Sequence, residues 1–194
     1  RGYSAKGLRP ELASYYYSRP QLNVTAQIEI KEKSLKAKQG ALIKYSGIGW
    51  LDHEWSSSLL MTGAVGWDWI GINLLDGGSI MAFRIRDQAG KALFSEWDRR
   101  DQKGRILERH SNAIWEVEGQ WRSPRSLANY PKGFLIRAGN QELRLQTLIQ
   151  DQEVDARAST GGFYYEGAVE MSQNKVVIGR GYLELTGYSQ AVKL

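Results

Sequence analysis

The sequence predicts an all-β fold of antiparallel strands closed into a barrel or sandwich, and three observations predict it. Apolar residues recur in short runs of period two, and no 3.6-residue amphipathic stripe persists beyond about two turns. The 194 residues include 21 Gly but only 4 Pro, a balance that suits twisted sheets punctuated by tight turns. The strand-like runs also follow one another with short connections, as they do in a meander. No repeat of 20–50 residues and no low-complexity tract interrupts this pattern.

Taken in order, Arg1 to Pro10 carries two Gly and one Pro and reads as an extended arm. Asn23 to Ile30 alternates with period two, and Ala41 to Trp50 is its expected partner beyond the lysine-rich turn Lys31 to Lys38. The clearest hairpin joins Trp69–Leu75 to Ser79–Arg86 through Asp76-Gly77-Gly78, because Gly supplies the positive φ of a tight turn. A turn at Asp87 to Gly90 leads into Lys91–Trp97. Ile106–Val117, Phe134–Arg137, Glu142–Ile149, Phe163–Met171 and Val176–Thr186 complete the series. Their separators include Glu118-Gly119, Gly139-Asn140 and Gln173-Asn174-Lys175.

Composition narrows the function. The apolar fraction of 42% supports a real core, since a chain this long buries roughly 70% of its unfolded surface. There is no Cys, which excludes disulfides and thiolate metal sites, and two histidines cannot build a multi-histidine zinc site. The longest apolar runs, such as Ile70 to Leu75, fall far short of the ~20 residues of a membrane helix. The chain opens at Arg1 rather than Met, so an upstream segment is expected. The net charge of +5 is concentrated in residues 1–45, where nine basic residues face three acids, while the tryptophans lie elsewhere. A nucleic-acid face would interleave the two; lysines protecting a hairpin edge fit better. Phosphate-loop, dinucleotide and His-Glu-x-x-His signatures are missing. A carboxylate-only ion site is conceivable around Asp151, Glu153 and Asp155, although the same spacing suits a solvated face balanced by Arg157.

Four segments carry a resemblance: Tyr15-Tyr16-Tyr17-Ser18-Arg19-Pro20-Gln21-Leu22, Trp50-Leu51-Asp52-His53-Glu54-Trp55-Ser56-Ser57, Gly66-Trp67-Asp68-Trp69-Ile70-Gly71-Ile72-Asn73 and Gly179 to Tyr188. Asp151-Gln152-Glu153 and Ser159-Thr160-Gly161 also fit. Together they resemble the lipocalin-like hydroxyneurosporene synthase (carotenoid 1,2-hydratase) family. They are more similar still to its bacterial envelope branch, described as predicted secreted hydrolases or ABC-transporter-associated components. The resemblance implies an antiparallel lipocalin-like (calycin) barrel. Members usually hold two such barrels in tandem, so residues 1–55 become an arm and closing strands of a first barrel and residues 56–194 the second, with the boundary near His53 to Ser58. Residues 1–50 could instead complete one barrel or exchange with another copy. The resemblance further implies a periplasmic or secreted location, an apolar small-molecule ligand, ABC transporter components as partners, at most peripheral membrane contact, and no cofactor.

The hydratases of this family add water across an isolated alkene. Such chemistry needs a neutral acid to protonate carbon, π-faces to stabilise the cation and a base for the attacking water. A carboxyl group buried among aromatics suits the acid, because desolvation keeps it protonated. Asp52, Glu54 and Asp68 stand among Trp50, Trp55, Trp67 and Trp69. His53-Glu54-Trp55 matches the family's His-x-Trp element, which makes His53 the first catalytic candidate, with Glu54 and Asp52 beside it. The family's Tyr-x-Asp pair has no counterpart in Ile80-Met81-Ala82-Phe83-Arg84, which counts against hydratase activity. Structurally, His53 could simply bridge two strands by hydrogen bonds.

Expected ligand-binding residues are Trp55, Trp67, Trp69, Tyr164 and Glu166. On a strand, Trp67, Trp69, Gly71 and Asn73 share one face, opposite Asp68, Ile70, Ile72 and Leu74. Tyr164 and Glu166 share a face and could anchor a ligand inside the barrel; ordinary packing is the alternative for each. Three functions compete: a barrel binding a lipid or isoprenoid, a cofactor-free hydratase or cyclase working by positioning, and a filled structural partner of a transporter. A packed barrel interior would sink the first two, both of which place ligand or substrate inside the barrel.

Overall fold

Period-two alternation becomes β-structure throughout: among the described residues of this computed structural model there are fifteen strands and no helix. The structure describes residues 2–29, 40–56, 60–159 and 161–192. The lysine-rich turn Lys31 to Lys38, Thr160 and the expected boundary residues Ser57 and Ser58 lie outside the described residues.

β1 (Tyr3–Ala5), β2 (Ala13–Glu29) and β3 (Leu42–Trp55) form an antiparallel sheet in that order. The next strands are β4 (Gly66–Leu74), β5 (Ser79–Arg86), β6 (Ala92–Arg100), β7 (Ile106–His110) and β8 (Ile114–Val117). β9 (Gln120–Arg122) and β10 (Asn129–Pro131) pair with each other. β11 (Gly133–Ala138), β12 (Gln141–Thr147), β13 (Glu153–Asp155), β14 (Phe163–Gln173) and β15 (Val176–Leu185) follow. The ten-stranded antiparallel sheet runs β7-β6-β5-β4-β15-β14-β12-β11-β8, with β13 added on β14.

The single strand expected over Ile106–Val117 is parted at residues 111–113, because its halves serve opposite ends of the sheet: β7 pairs with β6 and β8 with β11. β9, β10 and β13 are three residues each, too short to show a period. The Asp76-Gly77-Gly78 turn stands as expected, with Gly77 at φ 84°.

Pleating turns Asp68, Ile70, Ile72 and Leu74 into the barrel, while Trp67, Trp69, Gly71 and Asn73 face outward toward the three-stranded sheet. The interior is filled by Trp97, Tyr130, Phe134, Tyr165 and Met171, each less than 2% exposed, packed with Ile, Leu and Val side chains. At one end a buried triad ties β4 and β5 to the edge strand β8. Asp68 receives the Nε–H groups of Arg84 (2.7 Å) and Arg86 (2.8 Å), and Arg84 also donates to the Trp115 carbonyl at 3.1 Å. The Arg84 guanidinium lies over the rings of Trp115 and Phe134, and that of Arg86 lies 3.9 Å from the Tyr188 centroid. β5 and β8 share no ladder, so this arginine links strands that backbone pairing leaves apart.

The three-stranded sheet docks through two devices. Gln21 sits in the left-handed region (φ 57°) at the bulge between Arg19 and Leu22. From there its backbone N–H reaches Asn73 Oδ1 at 2.8 Å, and its side chain reaches the carbonyls of Leu74 and Gly78 at 2.9 and 2.7 Å. Nearby, Trp50 meets Trp69 edge-on at 6.0 Å above Gly71. A Cβ on Gly71 would stand 2.6 Å from Trp69 and 2.9 Å from Trp50. Gly71→Val is therefore expected to cost about 1–3 kcal/mol by overpacking and to loosen the small sheet selectively. Hydrogen exchange checks this: β2 and β3 amides should exchange faster while β11, β12 and β14 keep their protection.

Candidate functional site

β2 and β3 each present two faces. Across the pair, Tyr16 opposes Glu54 and Ser18 opposes Asp52 on the side toward the barrel, whereas Tyr15 opposes Trp55 and Tyr17 opposes His53 on the other side. The three consecutive catalytic candidates are therefore split. Asp52 and Glu54 face the barrel, while His53 points away. His53 Nδ1 lies 3.3 Å from the Tyr17 hydroxyl, its ring meets Trp55 at 5.0 Å, and Trp55 stacks on Tyr15 at 5.4 Å. His53 thus spans two strands on an exposed aromatic face that also carries Leu51.

Between the small sheet and the barrel's outer wall lies a cavity of about 280 Å³. Trp67, Trp69, Phe83, Ile85 and Glu184 line it from the barrel, Tyr16, Asp52 and Glu54 from the sheet, and Lys6 from the arm. A second cavity, of about 300 Å³, adjoins it and is walled by Phe163, Tyr164, Glu166, Thr186, Gly187, Gln190 and Val192. Trp67 and Glu184 line both, so the two are lobes of one cleft. Tyr164 and Glu166 were expected inside the barrel. Their neighbour Tyr165 takes the interior instead, and the pleat turns Tyr164 and Glu166 outward into the second lobe. Of the eight expected site residues, Asp52, Glu54, Trp67, Trp69, Tyr164 and Glu166 border the cleft; His53 and Trp55 do not.

The cleft's electrostatics centre on Glu184, whose carboxyl is pushed up to about 7 by burial and then by the charge of Glu166, with smaller contributions from Glu54 and Asp52. A hydrogen bond from the Trp67 indole works against that rise. Glu166, its direct cross-strand partner, is raised by burial and held back by a hydrogen bond with Tyr182. The Tyr16 phenol is driven upward by burial and by Asp52, so it remains a proton donor. Asp52 accepts from Trp50 Nε1 at 2.7 Å. Glu54 accepts from the Ser14 hydroxyl and pairs with Lys6 Nζ at 2.9 Å. The site can thus hold an apolar body against aromatic rings and offer it a carboxyl group that exchanges a proton near neutrality. Sequence reasoning missed Glu184 and Lys6 as site residues: Glu184 lies within the Gly179 to Tyr188 segment that carries the resemblance but was given no role there, and Lys6 belongs to no local motif.

Asp151, Glu153 and Asp155 do not converge. Asp151 pairs with Arg125, Asp155 with Arg157 at 2.7 Å, and buried Glu153 accepts from Ser123 at 2.6 Å. Among the described residues no group of three or more His, Cys, Asp or Glu could hold a metal ion.

The profile of the AttH-like family matches residues 1–188. A crystal structure from Nitrosomonas europaea, provisionally assigned as AttH, is similar with a TM-score of 0.87 and 40% identity over 96% of this chain and 56% of that one. Kievitone hydratase of Nectria haematococca is similar with a TM-score of 0.67 and 14% identity over 97% of this chain and 56% of that one, a likeness of fold. No curated protein matches. The chain spans little more than half the length of the structures it matches. The expected all-β, antiparallel lipocalin-like fold is the fold found, and it is one that a hydratase also adopts.

Proposed function

The chain belongs to the AttH-like family, and from that premise we propose that it binds an apolar small molecule, of lipid or isoprenoid type, in the cleft outside its barrel. The observation that carries this reading is the position of the free space. The barrel interior is filled by side chains, which removes the location expected from sequence. The two-lobed cleft, by contrast, offers about 280 and 300 Å³ beside Trp67, Trp69 and Phe83. Apolar walls with a few convergent polar groups are what ligand sites of this size use.

N-phenyl-1-naphthylamine, a neutral fluorescent probe, tests the proposal. Trp67→Ala and Phe83→Ala are expected to weaken its binding ~10-fold or more, whereas His53→Ala leaves it unchanged. Undiminished affinity in both cleft variants would reject the cleft as the site.

Glu184 favours a second reading, cofactor-free acid catalysis on an alkene. A carboxyl group at about 7 beside the Trp67 ring meets the need for a neutral acid next to a π-face, and it does so without His53. The proposal also extends to setting. We place the protein in the periplasm or outside the cell, serving an ABC transport system, and read residues 1–55 as part of a first lipocalin-like barrel whose inner wall is the exposed face of Tyr15, Tyr17 and Trp55. Crosslinking in cells tests the transporter contact.

A further inference from the structure

We infer that the ligand of this cleft carries a positive charge, an amine or quaternary ammonium group seated at Glu166 and Glu184 with its apolar body along Trp67 and Trp69. The inference rests on the cleft being the binding site, as proposed above.

The cleft carries a surplus of carboxyl groups. Asp52, Glu54, Glu166 and Glu184 border the cleft, and the only basic residue lining it among the described residues is Lys6. Glu166 and Glu184 stand directly opposite each other on β14 and β15, an arrangement of like charges that destabilises a sheet. Their environments raise both carboxyl groups. Among the described residues no Lys or Arg forms an ion pair with either. A cation arriving between them would relieve this repulsion.

The cleft also already accommodates an ammonium group. Lys6 Nζ lies 4.5 Å from the Phe83 centroid, 5.1 Å from that of Tyr16 and 2.9 Å from Glu54, with its side chain only 12% exposed. Aromatic faces carry negative potential and attract such groups, more strongly as water is excluded. The first lobe therefore shows how these walls hold a cation, and the chain supplies none at the Glu166–Glu184 pair. A bare metal ion does not fit, because among the described residues the acids do not gather into a ligand set of three or more. An organic cation, which reaches carboxylates and rings together, does.

The test uses phenethyltrimethylammonium and its uncharged isostere (3,3-dimethylbutyl)benzene, titrated into the protein and followed by calorimetry at pH 8. We expect the cation to bind at least ~10-fold tighter than the isostere. In Glu166→Gln/Glu184→Gln that preference should collapse to ~3-fold or less, with thermal melts showing the variant folded. The preference should also shrink as pH falls through 7, where Glu184 gains its proton beside the carboxyl groups of Glu166, Asp52 and Glu54 and the Lys6 ammonium, while the raised phenols of Tyr16, Tyr164 and Tyr182 stay neutral. Equal affinity for the two probes, with binding still lost in Trp67→Ala, would overturn the charge inference and leave the cleft reading standing. A full preference in the double variant would likewise overturn it. Binding indifferent to Trp67→Ala, or no binding of either probe, would overturn both.

Discussion

Asp68→Asn is expected to lower the thermal midpoint by about 10 °C or more, the largest effect of any single conservative change in this chain. The carboxylate is fully buried and takes a charge-assisted hydrogen bond from each of two arginines at 2.7 and 2.8 Å. Both arginine side chains are themselves less than a tenth exposed. An amide keeps the shape but removes the charge, leaving two guanidinium groups in the barrel end without a counterion. Breaking a buried ion pair on one side costs about 3–5 kcal/mol, and 1 kcal/mol shifts the midpoint of a chain this long by about 2–4 °C. The same principle supplies the control. Replacing Asp68, Arg84 and Arg86 together by Leu or Met should recover most of the loss, because the desolvation of all three charges disappears with their attraction. If calorimetry instead showed Asp68→Asn melting with the parent protein, the triad would not be what holds the β5 and β8 sides together.

Glu184→Gln is expected to stabilise the protein above neutrality while removing its acid function. The wild-type carboxyl rises from 4.5 to about 7 on folding, so the native state binds more protons than the unfolded state between those values. Stability is then fully present below pH ~4.5 and declines as pH rises through 7, by about 3–4 kcal/mol for a shift of this size. The glutamine side chain neither titrates nor repels Glu166, so the variant should lack this decline and lie above the wild type at pH 8. Urea unfolding of both proteins at pH 5 and pH 8 measures the effect, and the difference between them cancels other titrating groups. Parallel pH profiles would show that Glu184 ionises normally. On the acid-catalysis reading, the same variant loses turnover of an alkene substrate entirely.

These two residues also mark how much of the molecule was legible in the sequence. The placement of Asp68 opposite Trp67 and Trp69 follows from period-two alternation, and the Gly77 turn fixes that hairpin; which of the two faces turns inward does not follow from alternation. The parting of His53 from Asp52 and Glu54 was equally legible, since consecutive residues on a strand point to opposite faces; the His-x-Trp resemblance drew attention past it. Glu184 was not legible. The β14–β15 hairpin starts with Gln173 opposite Val176 and Ser172 opposite Val177, and a register shift between Met171 and Ser172 moves the pairing so that Met171 opposes Gly179. Only that one-residue slip sets Glu184, rather than Leu183, across from Glu166, and no local pattern in the sequence records it. The division of Ile106–Val117 into β7 and β8 was hidden in the same way, because partners at opposite ends of the sheet decide it.

The outward face of the small sheet has a consequence for how the protein behaves in bulk solution. Tyr15, Tyr17, Leu51 and Trp55 are between 43% and 60% exposed, and among the described residues β3 pairs only with β2. A long strand with a free edge beside a greasy face is a template for sticking to its own kind, and the net charge of +5 is what holds copies apart. That repulsion reaches about 10 Å in 0.1 M salt and only about 3 Å in 1 M. Taken by itself, this chain is therefore expected to self-associate as salt is added, which light scattering against salt measures, and a first barrel closing over that face would remove the salt dependence.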